Sequence, residues 1–453
     1  MQRIWAEQAL LATGWARDVL VILDAGRIVS ATPGQPAQGQ RVGTLMPAPA
    51  NCHSHAFQRA MAGLTERRGD SPTDSFWTWR RLMYAFLDRI TPDQVQAIAA
   101  YVQMEMLQAG FGASVEFHYL HHQPGGVPYA DLAEMSSRIM AAAQMSGIGL
   151  TLLPVAYQFG GLDGRALGPG QARFGNDPDR FALLVDSAAQ AMRALPADAV
   201  LGVAPHSLRA VAPGDLAGLA ALRPGAPIHL HLAETLAEVS EVQAHLGARP
   251  VEWALANLPL TDRWCLIHLT QMTPAETETL ARTGAIAGLC PLTEASLGDG
   301  IFDGTRWMGA GGAVALGSDS NIRISLAEEL RQLDTSQRLR DHSRAVLATA
   351  EHSTGRRLWQ AAAEGGAKAA GRDCGRIAPG ALADLVALDL SHPDLDGLAG
   401  DTILDSFAFA GDSAMVAEVW SAGRHLVQGG RHIARDAITA AYRAAVKPLR
   451  DGL

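Results

Sequence analysis

The chain has 453 residues, 48% of them hydrophobic and 18% charged, which is enough apolar mass for a large buried core. Its formal net charge is −9 and no run of basic residues occurs, which argues against nucleic acid or an anionic membrane surface as a partner. No stretch approaches the roughly 20 apolar residues of a membrane span. Met1 to Leu20 carries the scattered charges Arg3, Glu7, Arg17 and Asp18, so it does not read as a signal peptide. The cysteines Cys52, Cys265, Cys290 and Cys374 form no CxxC pair, in keeping with reduced thiols in a cytoplasmic protein.

In chain order, the first signal is a hairpin. Val19 to Leu23 is an apolar run, Asp24-Ala25-Gly26 a turn, and Arg27-Ile28-Val29 a second run. From about Thr44 to Asn321, short apolar runs then alternate with longer Ala- and Leu-rich stretches. The candidate strands are Thr44–Pro49, Ala113–His118, Gly149–Ala156, Val200–Ala204, Pro227–His231, Trp264–His268, Gly284–Leu289 and Ala313–Gly317. Their near-continuous hydrophobicity suits parallel strands buried on both faces. Helices are predicted between them, among them Thr91–Gln108, Asp131–Met145 and Asp179–Leu195. Eight such repeats predict a (β/α)8 TIM barrel over residues 47–372. Turn-rich strands return at Gly375–Asp389, Glu418–Gln428 and Gly430–His432, so residues 1–46 and 373–453 are expected to pair into a small β-sandwich domain.

Catalytic groups of such barrels lie at the C-terminal ends of the strands. The first candidate strand runs into His53-Ser54-His55, and an i, i+2 pair on extended chain points both imidazoles to one side. The fifth ends in His229-Leu230-His231-Leu232-Ala233-Glu234, the sixth at His268, and the eighth runs into Gly317-Ser318-Asp319. One lone histidine is more often a hydrogen-bonded core residue than a ligand. Together, His53, His55, His231 and Asp319 form a nitrogen and oxygen set suited to Zn2+ or Fe2+. An ion of this kind makes hydroxide available at neutral pH.

This pattern resembles the amidohydrolase superfamily, whose mononuclear deaminase branch carries HxH, HxxE, His and Asp after strands 1, 5, 6 and 8. The resemblance implies His53, His55, His231 and Asp319 as ligands of one Zn2+ per subunit, with Glu234, His268 and Asp319 moving protons. How those three divide the work is left open. Binuclear relatives bridge their metals with a carboxylated lysine from strand 4, but the lysines here are Lys368 and Lys447, both beyond strand 8.

Further stretches resemble the formimidoylglutamate deiminase family: NCHSHAFQRAMAGLTE, SFWTWR, EFHYLHH, APHSLRA, HLHLAE, LCPLTEASLGDG and LGSDSNIRISLAEELR. Leu292 and Ser296 depart from the Thr and Asn usual there. That family hydrolyses N-formimidoyl-L-glutamate to N-formyl-L-glutamate and ammonia in histidine breakdown. By resemblance, Gln58, Arg80, Tyr119, His206 and Arg209 contact substrate, the two arginines pairing with its carboxylates. Arg81 competes with Arg80 for that role, since adjacent side chains diverge. His118, His121 and His122 are given no ligand role. The resemblance also implies a homodimer. Within the same branch, the alternative is a deaminase of a purine, a pterin or another N-formimidoyl amino acid.

Overall fold

The computed structural model describes residues 1–66 and 76–451, with the backbone alone for 76–81. The predicted barrel is present. Its strands are Ala50–Ser54, Ala113–His118, Gly149–Ala156, the broken pair Val200–Leu201 and Ala204–Pro205, Ile228–Leu232, Trp264–His268, Ile286–Leu289 and Ala313–Leu316. Strands two, three, five and six are buried along their whole length, as their uninterrupted apolar character requires. Parallel pairing runs through strands one to four and again through five to eight. Two parallel bridges join these arcs into a closed barrel, Val203 to Ile228 and Ser54 to Asp319. At the second seam a Cβ on Gly317 would lie 2.8 Å from the backbone nitrogen and oxygen of His53, so only glycine lets strand eight approach strand one there.

The first strand departs from the sequence expectation. Thr44–Pro49 is not a barrel strand. Gln40–Pro47 instead belongs to the terminal sheet, and the barrel begins at Ala50. Apolar runs lie on both sides of Pro47-Ala48-Pro49, and hydropathy alone cannot choose between them. Proline offers no N–H to a ladder, so pairing breaks at this point and the chain passes from one sheet to the other.

The terminal sheet has eight strands in the order Arg431–His432, Arg424–Gln428, Val416–Ser421, Leu385–Leu388, Gln40–Pro47, Gln2–Leu11, Gly14–Asp24 and Arg27–Thr32. It curls until Arg27 bridges Leu382, on the segment entering Leu385–Leu388. The fold encloses a core that includes Ile4, Val19, Val21, Leu45, Leu385 and Trp420.

Helices close the barrel from outside, and their ends are legible locally. Pro92–Gln108 starts with proline at its first turn and a reciprocal Thr91/Gln94 capping box. Thr354–Ala369 crosses the N-terminal end of the barrel: a Cβ on Gly365 would clash with the Val314 carbonyl, and one on Gly366 with that of Ala50. The last helix, Arg435–Arg450, packs on Pro92–Gln108 with Tyr442 and Tyr101 stacked 4.0 Å apart. Among the described residues no helix is long and apolar enough to cross a membrane.

Barrel and sheet are tied by a buried charge network. Arg372, with a fully buried side chain, pairs with Asp384 at 3.0 Å and Asp198 at 3.1 Å, and Asp198 also holds Arg424 at 2.8 Å. Asp384 additionally accepts the N–H of Ala422. Removing one partner leaves a buried charge uncompensated. Arg372→Met is expected to lower unfolding stability by about 3–5 kcal/mol in a denaturant titration. A loss under about 1 kcal/mol, the scale of a solvated surface pair, would show that this network does not hold the two layers together.

Candidate active site

The mouth of the barrel gathers the residues that the sequence scattered over some 270 positions. His53 Nε2 lies 3.2 Å from His55 Nε2 and 3.1 Å from His231 Nε2. Asp319 Oδ1 is 3.6 Å from His53 Nε2 and 3.2 Å from His55 Nε2. Hydrogen bonds on the far side of two rings determine which nitrogens carry lone pairs. His55 Nδ1 donates to the Phe117 carbonyl at 3.0 Å, and His231 Nδ1 to the His206 carbonyl at 3.1 Å. Their Nε2 atoms therefore point bare lone pairs at the common centre.

Protonation cannot relieve the crowding. Burial, with repulsion from the other imidazoles, pushes His53 and His231 well below the usual histidine range. Burial takes His55 down to about 3, only partly offset by its bond to the Phe117 carbonyl. Asp319 is pushed up to about 7 by burial, with His268 opposing and the Glu234 and Glu294 carboxylates adding to the rise. Neutral imidazoles and a carboxylate short of positive charge, 3.1–3.6 Å apart, make a donor set that calls for a cation. A tetrahedral ion with bonds of about 2.0–2.1 Å requires ligand separations of about 3.3 Å, the scale of the His53, His55 and His231 group, whose nitrogens lie within 4.8 Å of one another, with Asp319 beside His53 and His55.

Backbone strain and a buried polar network hold this arrangement. Ala233, His268, Leu269, Asp319 and Asn321 all have positive φ, between 43° and 77°, a conformation costing about 1–3 kcal/mol for each residue with a side chain. Across the closing seam, Asn51 Nδ2 donates to Ser318 Oγ, Ser318 Oγ to Asn321 Oδ1, and Asn321 Nδ2 to Ser54 Oγ. Glu116 accepts the Ala56 N–H at 2.7 Å, just after His55, and burial pushes its carboxyl up to about 8.

His268 stands beside this centre. Its Nε2 is 3.7 Å from Glu234 Oε1 and 4.0 Å from Asp319 Oδ2. Its Nδ1 is 3.2 Å from Glu294 Oε1, which also accepts the Cys290 N–H at 2.8 Å. Burial alone would lower His268, but Glu234, Glu294 and Asp319 together raise it well above the usual range.

An open cleft of about 590 Å³ leads to these groups, with His55, His231, His268, Glu234 and Asp319 in its wall. Gln58, Tyr119, His206 and Arg209 line the same cleft. Gln58 Nε2 donates to Tyr119 Oη at 2.8 Å, and Gln58 Oε1 is buried without a partner. His206 Nδ1 meets Ser207 Oγ at 2.9 Å. Arg209 is half-buried, and its Nε is enclosed with no hydrogen-bond partner among the described residues. Burial disfavours its charge, yet Tyr157, Glu238 and Glu234 leave it more basic than usual. The side chains of Arg80 and Arg81 lie outside the described residues. Their helix, Phe76–Leu87, is pinned at its end by buried Arg173, which donates to the carbonyls of Leu87, Ile90 and His122.

The structure adds residues that sequence reasoning missed. Glu294 holds His268, and Glu238 accepts the N–H groups of Ala233 and Glu234, fixing the strained turn after His231. Met83, Tyr157, Phe174 and Leu297 form apolar parts of the cleft wall. The PLTE segment offered a signal for Glu294, an acid in the first turn of a helix following a barrel strand. His121 and His122 bond to Val155, Gly175 and Asn176 instead of joining the ligand group.

A family model described as "Amidohydrolase family" matches residues 44–426. The chain belongs to this family. Residues 1–41 match a second model, "Formimidoylglutamate deiminase HutF, N-terminal domain". Formimidoylglutamate deiminase of Pseudomonas aeruginosa is 45% identical over the whole of both chains. A 5-methylthioadenosine/S-adenosylhomocysteine deaminase of Natronomonas pharaonis is 28% identical over 92% of this chain and 88% of its own. Among solved structures, an amidohydrolase from Brucella melitensis superposes with TM-score 0.95 at 48% identity, covering 99% of this chain and 100% of that one. A zinc-bound adenosine deaminase from Xanthomonas campestris shares the fold at TM-score 0.82 and 22% identity, covering 99% and 98%.

Glu294→Gln leaves the donor set intact but gives His268 Nδ1 a weaker partner. The variant is expected to keep its metal content and lose about 10- to 100-fold in kcat. Wild-type kcat would remove Glu294 from the site.

Proposed function

We propose that this chain hydrolyses N-formimidoyl-L-glutamate to N-formyl-L-glutamate and ammonia. The observation that carries the proposal is the Arg209 side chain, whose enclosed Nε has no hydrogen-bond partner among the described residues, in the same cleft as the histidines that could hold a metal. A guanidinium with an unmet N–H donor in a cleft calls for an anionic partner. A glutamyl carboxylate meets that need, whereas a neutral purine ring does not. The similarity to the Pseudomonas aeruginosa formimidoylglutamate deiminase along the entire chain supports the same substrate.

His53, His55, His231 and Asp319 would hold one Zn2+, for which Fe2+ is the alternative by donor chemistry. When bound, the ion supplies Lewis acidity that lets water lose a proton near neutral pH. The protein's own groups then supply orientation and proton transfer. Arg209, with Arg80 from the helix Phe76–Leu87, would hold the carboxylates. Gln58, Tyr119 and His206 donate or accept hydrogen bonds along the glutamyl backbone. One C–O bond forms between water and the formimidoyl carbon, and the bond from that carbon to its terminal nitrogen breaks. Both protons of the water finish on the departing nitrogen as ammonia.

In this reading His268 and Asp319 would take up the protons that water gives up. Glu234, which His268 Nε2 approaches to 3.7 Å, would hand one on to the leaving nitrogen. Glu294 and Glu238 are positioning residues that fix His268 and the Glu234 turn. We extend the proposal, on the sequence resemblance, to a homodimeric cytoplasmic enzyme of histidine breakdown. It keeps the division into a barrel of residues 47–372 and a terminal β domain.

Ammonia release from N-formimidoyl-L-glutamate, set against adenosine-type and formimidoyl-aspartate substrates, tests the assignment. Preference for the glutamyl compound supports it, and faster turnover of a ring substrate overturns it. Asp319→Asn and His268→Asn are each expected to abolish turnover. Arg209→Met is expected to raise KM by an amount equivalent to about 2–5 kcal/mol. An unchanged KM would exclude Arg209 from substrate binding.

A further inference from the structure

The loops that follow the first and last barrel strands are joined by one side chain outside the cleft wall. Arg59 lies in the turn Ala56–Met61, a few residues beyond His55. Its Nη1 donates to two consecutive carbonyls of the strand-eight loop just beyond Asp319, those of Asn321 and Ile322, at 2.8 Å each. Its Nη2 pairs with the Glu105 carboxylate at 2.7 Å, and the side chain is 16% exposed, so this is not a loosely solvated surface pair.

The loop that Arg59 grips is under strain. Asp319 and Asn321 have φ of 43° and 55°, in the left-handed region. The near side of the turn is fixed by the backbone: the Asp319 N–H donates to the His53 carbonyl and the His55 N–H to the Asp319 carbonyl, both at 2.9 Å. The far side depends on Arg59, whose rigid planar fork can serve two oxygens and a carboxylate at once. Arg59 is itself held from behind. Tyr442 Oη donates to the Arg59 carbonyl at 3.4 Å, and Arg450 Nη2 to the Ala60 carbonyl at 3.1 Å. Both come from the last helix, Arg435–Arg450, whose Tyr442 stacks on Tyr101, one helical turn before Glu105.

We propose that Arg59 is a positioning residue for the metal ligand Asp319, and that the helix Arg435–Arg450 of the terminal domain supports the metal site through it. The inference rests on the metal-site reading and deepens it. Arg59 contributes no atom to the histidine group or to the cleft wall, so it acts only through the loop. Without its two hydrogen bonds the strained turn relaxes, and the Asp319 carboxylate loses its fixed place beside His53 and His55. The carboxylate must then be reordered whenever an ion binds, and that cost appears as lost metal affinity.

Competition with a chromophoric chelator reads the dissociation constant for Zn2+ alone, without turnover. Arg59→Met is expected to weaken Zn2+ binding about 10- to 100-fold, the range for losing a group that orients a ligand. Arg59→Lys keeps the charge beside Glu105 but not the planar fork, and its affinity is expected to fall between those of Arg59→Met and the wild type. A merely structural residue would lower the unfolding temperature of the metal-free protein and leave the Zn2+ dissociation constant unchanged. That result in Arg59→Met, or in Arg59→Lys should the first variant fail to fold, overturns the proposal. A wild-type protein that takes up no Zn2+ would instead sink the metal-site reading itself, a separate outcome.

Discussion

Three imidazole nitrogens within 4.8 Å of one another, with a carboxylate oxygen beside two of them, impose the constraint around which the rest of this molecule is organised. Hydrogen bonds to the Phe117 and His206 carbonyls commit two of the rings to present lone pairs, and burial keeps all three neutral. Without a cation the cluster is repulsive. The fold must therefore supply both the convergence and the stability that tolerates it. Closure of the barrel at the Ser54–Asp319 seam brings the first and last strands together, and Gly317 removes the side chain that would keep them apart. The left-handed residues at three strand ends store the cost locally, and the apolar barrel core and the Arg372 network absorb it elsewhere.

Around that centre the polar side chains fall into two groups. One, comprising Glu238, Glu294, Glu116 and the Asn51–Ser318–Asn321–Ser54 chain, satisfies backbone N–H groups and orients the inner residues. The other, comprising Arg209 and Gln58, has enclosed polar atoms with no hydrogen-bond partner among the described residues, and both side chains line the cleft beside the metal-binding histidines. The pattern suits a polar ligand with an anionic end, which a formimidoyl dicarboxylate offers.

Much of this was legible in the chain itself. HxH, HxxE, a strand-terminal histidine and a strand-terminal aspartate specify ligand types and strand positions, and barrel geometry then forces them together. The alternation of apolar runs and helices was equally plain. The first strand was misplaced because hydropathy is continuous across Pro47-Ala48-Pro49. What separates the two sheets there is the loss of an N–H donor, a detail of pairing that hydropathy does not record. Glu294 and Glu238 escaped notice because their roles depend on which backbone N–H or ring nitrogen lies opposite, a three-dimensional relation.

The metal content of the protein as purified, read by elemental analysis together with the change in unfolding temperature on chelation, bears most directly on the central claim. One divalent ion per chain, with a marked fall in unfolding temperature when it is stripped, is the predicted result. A protein that holds no ion after zinc and iron are both supplied, or that is equally stable with and without one, would contradict it.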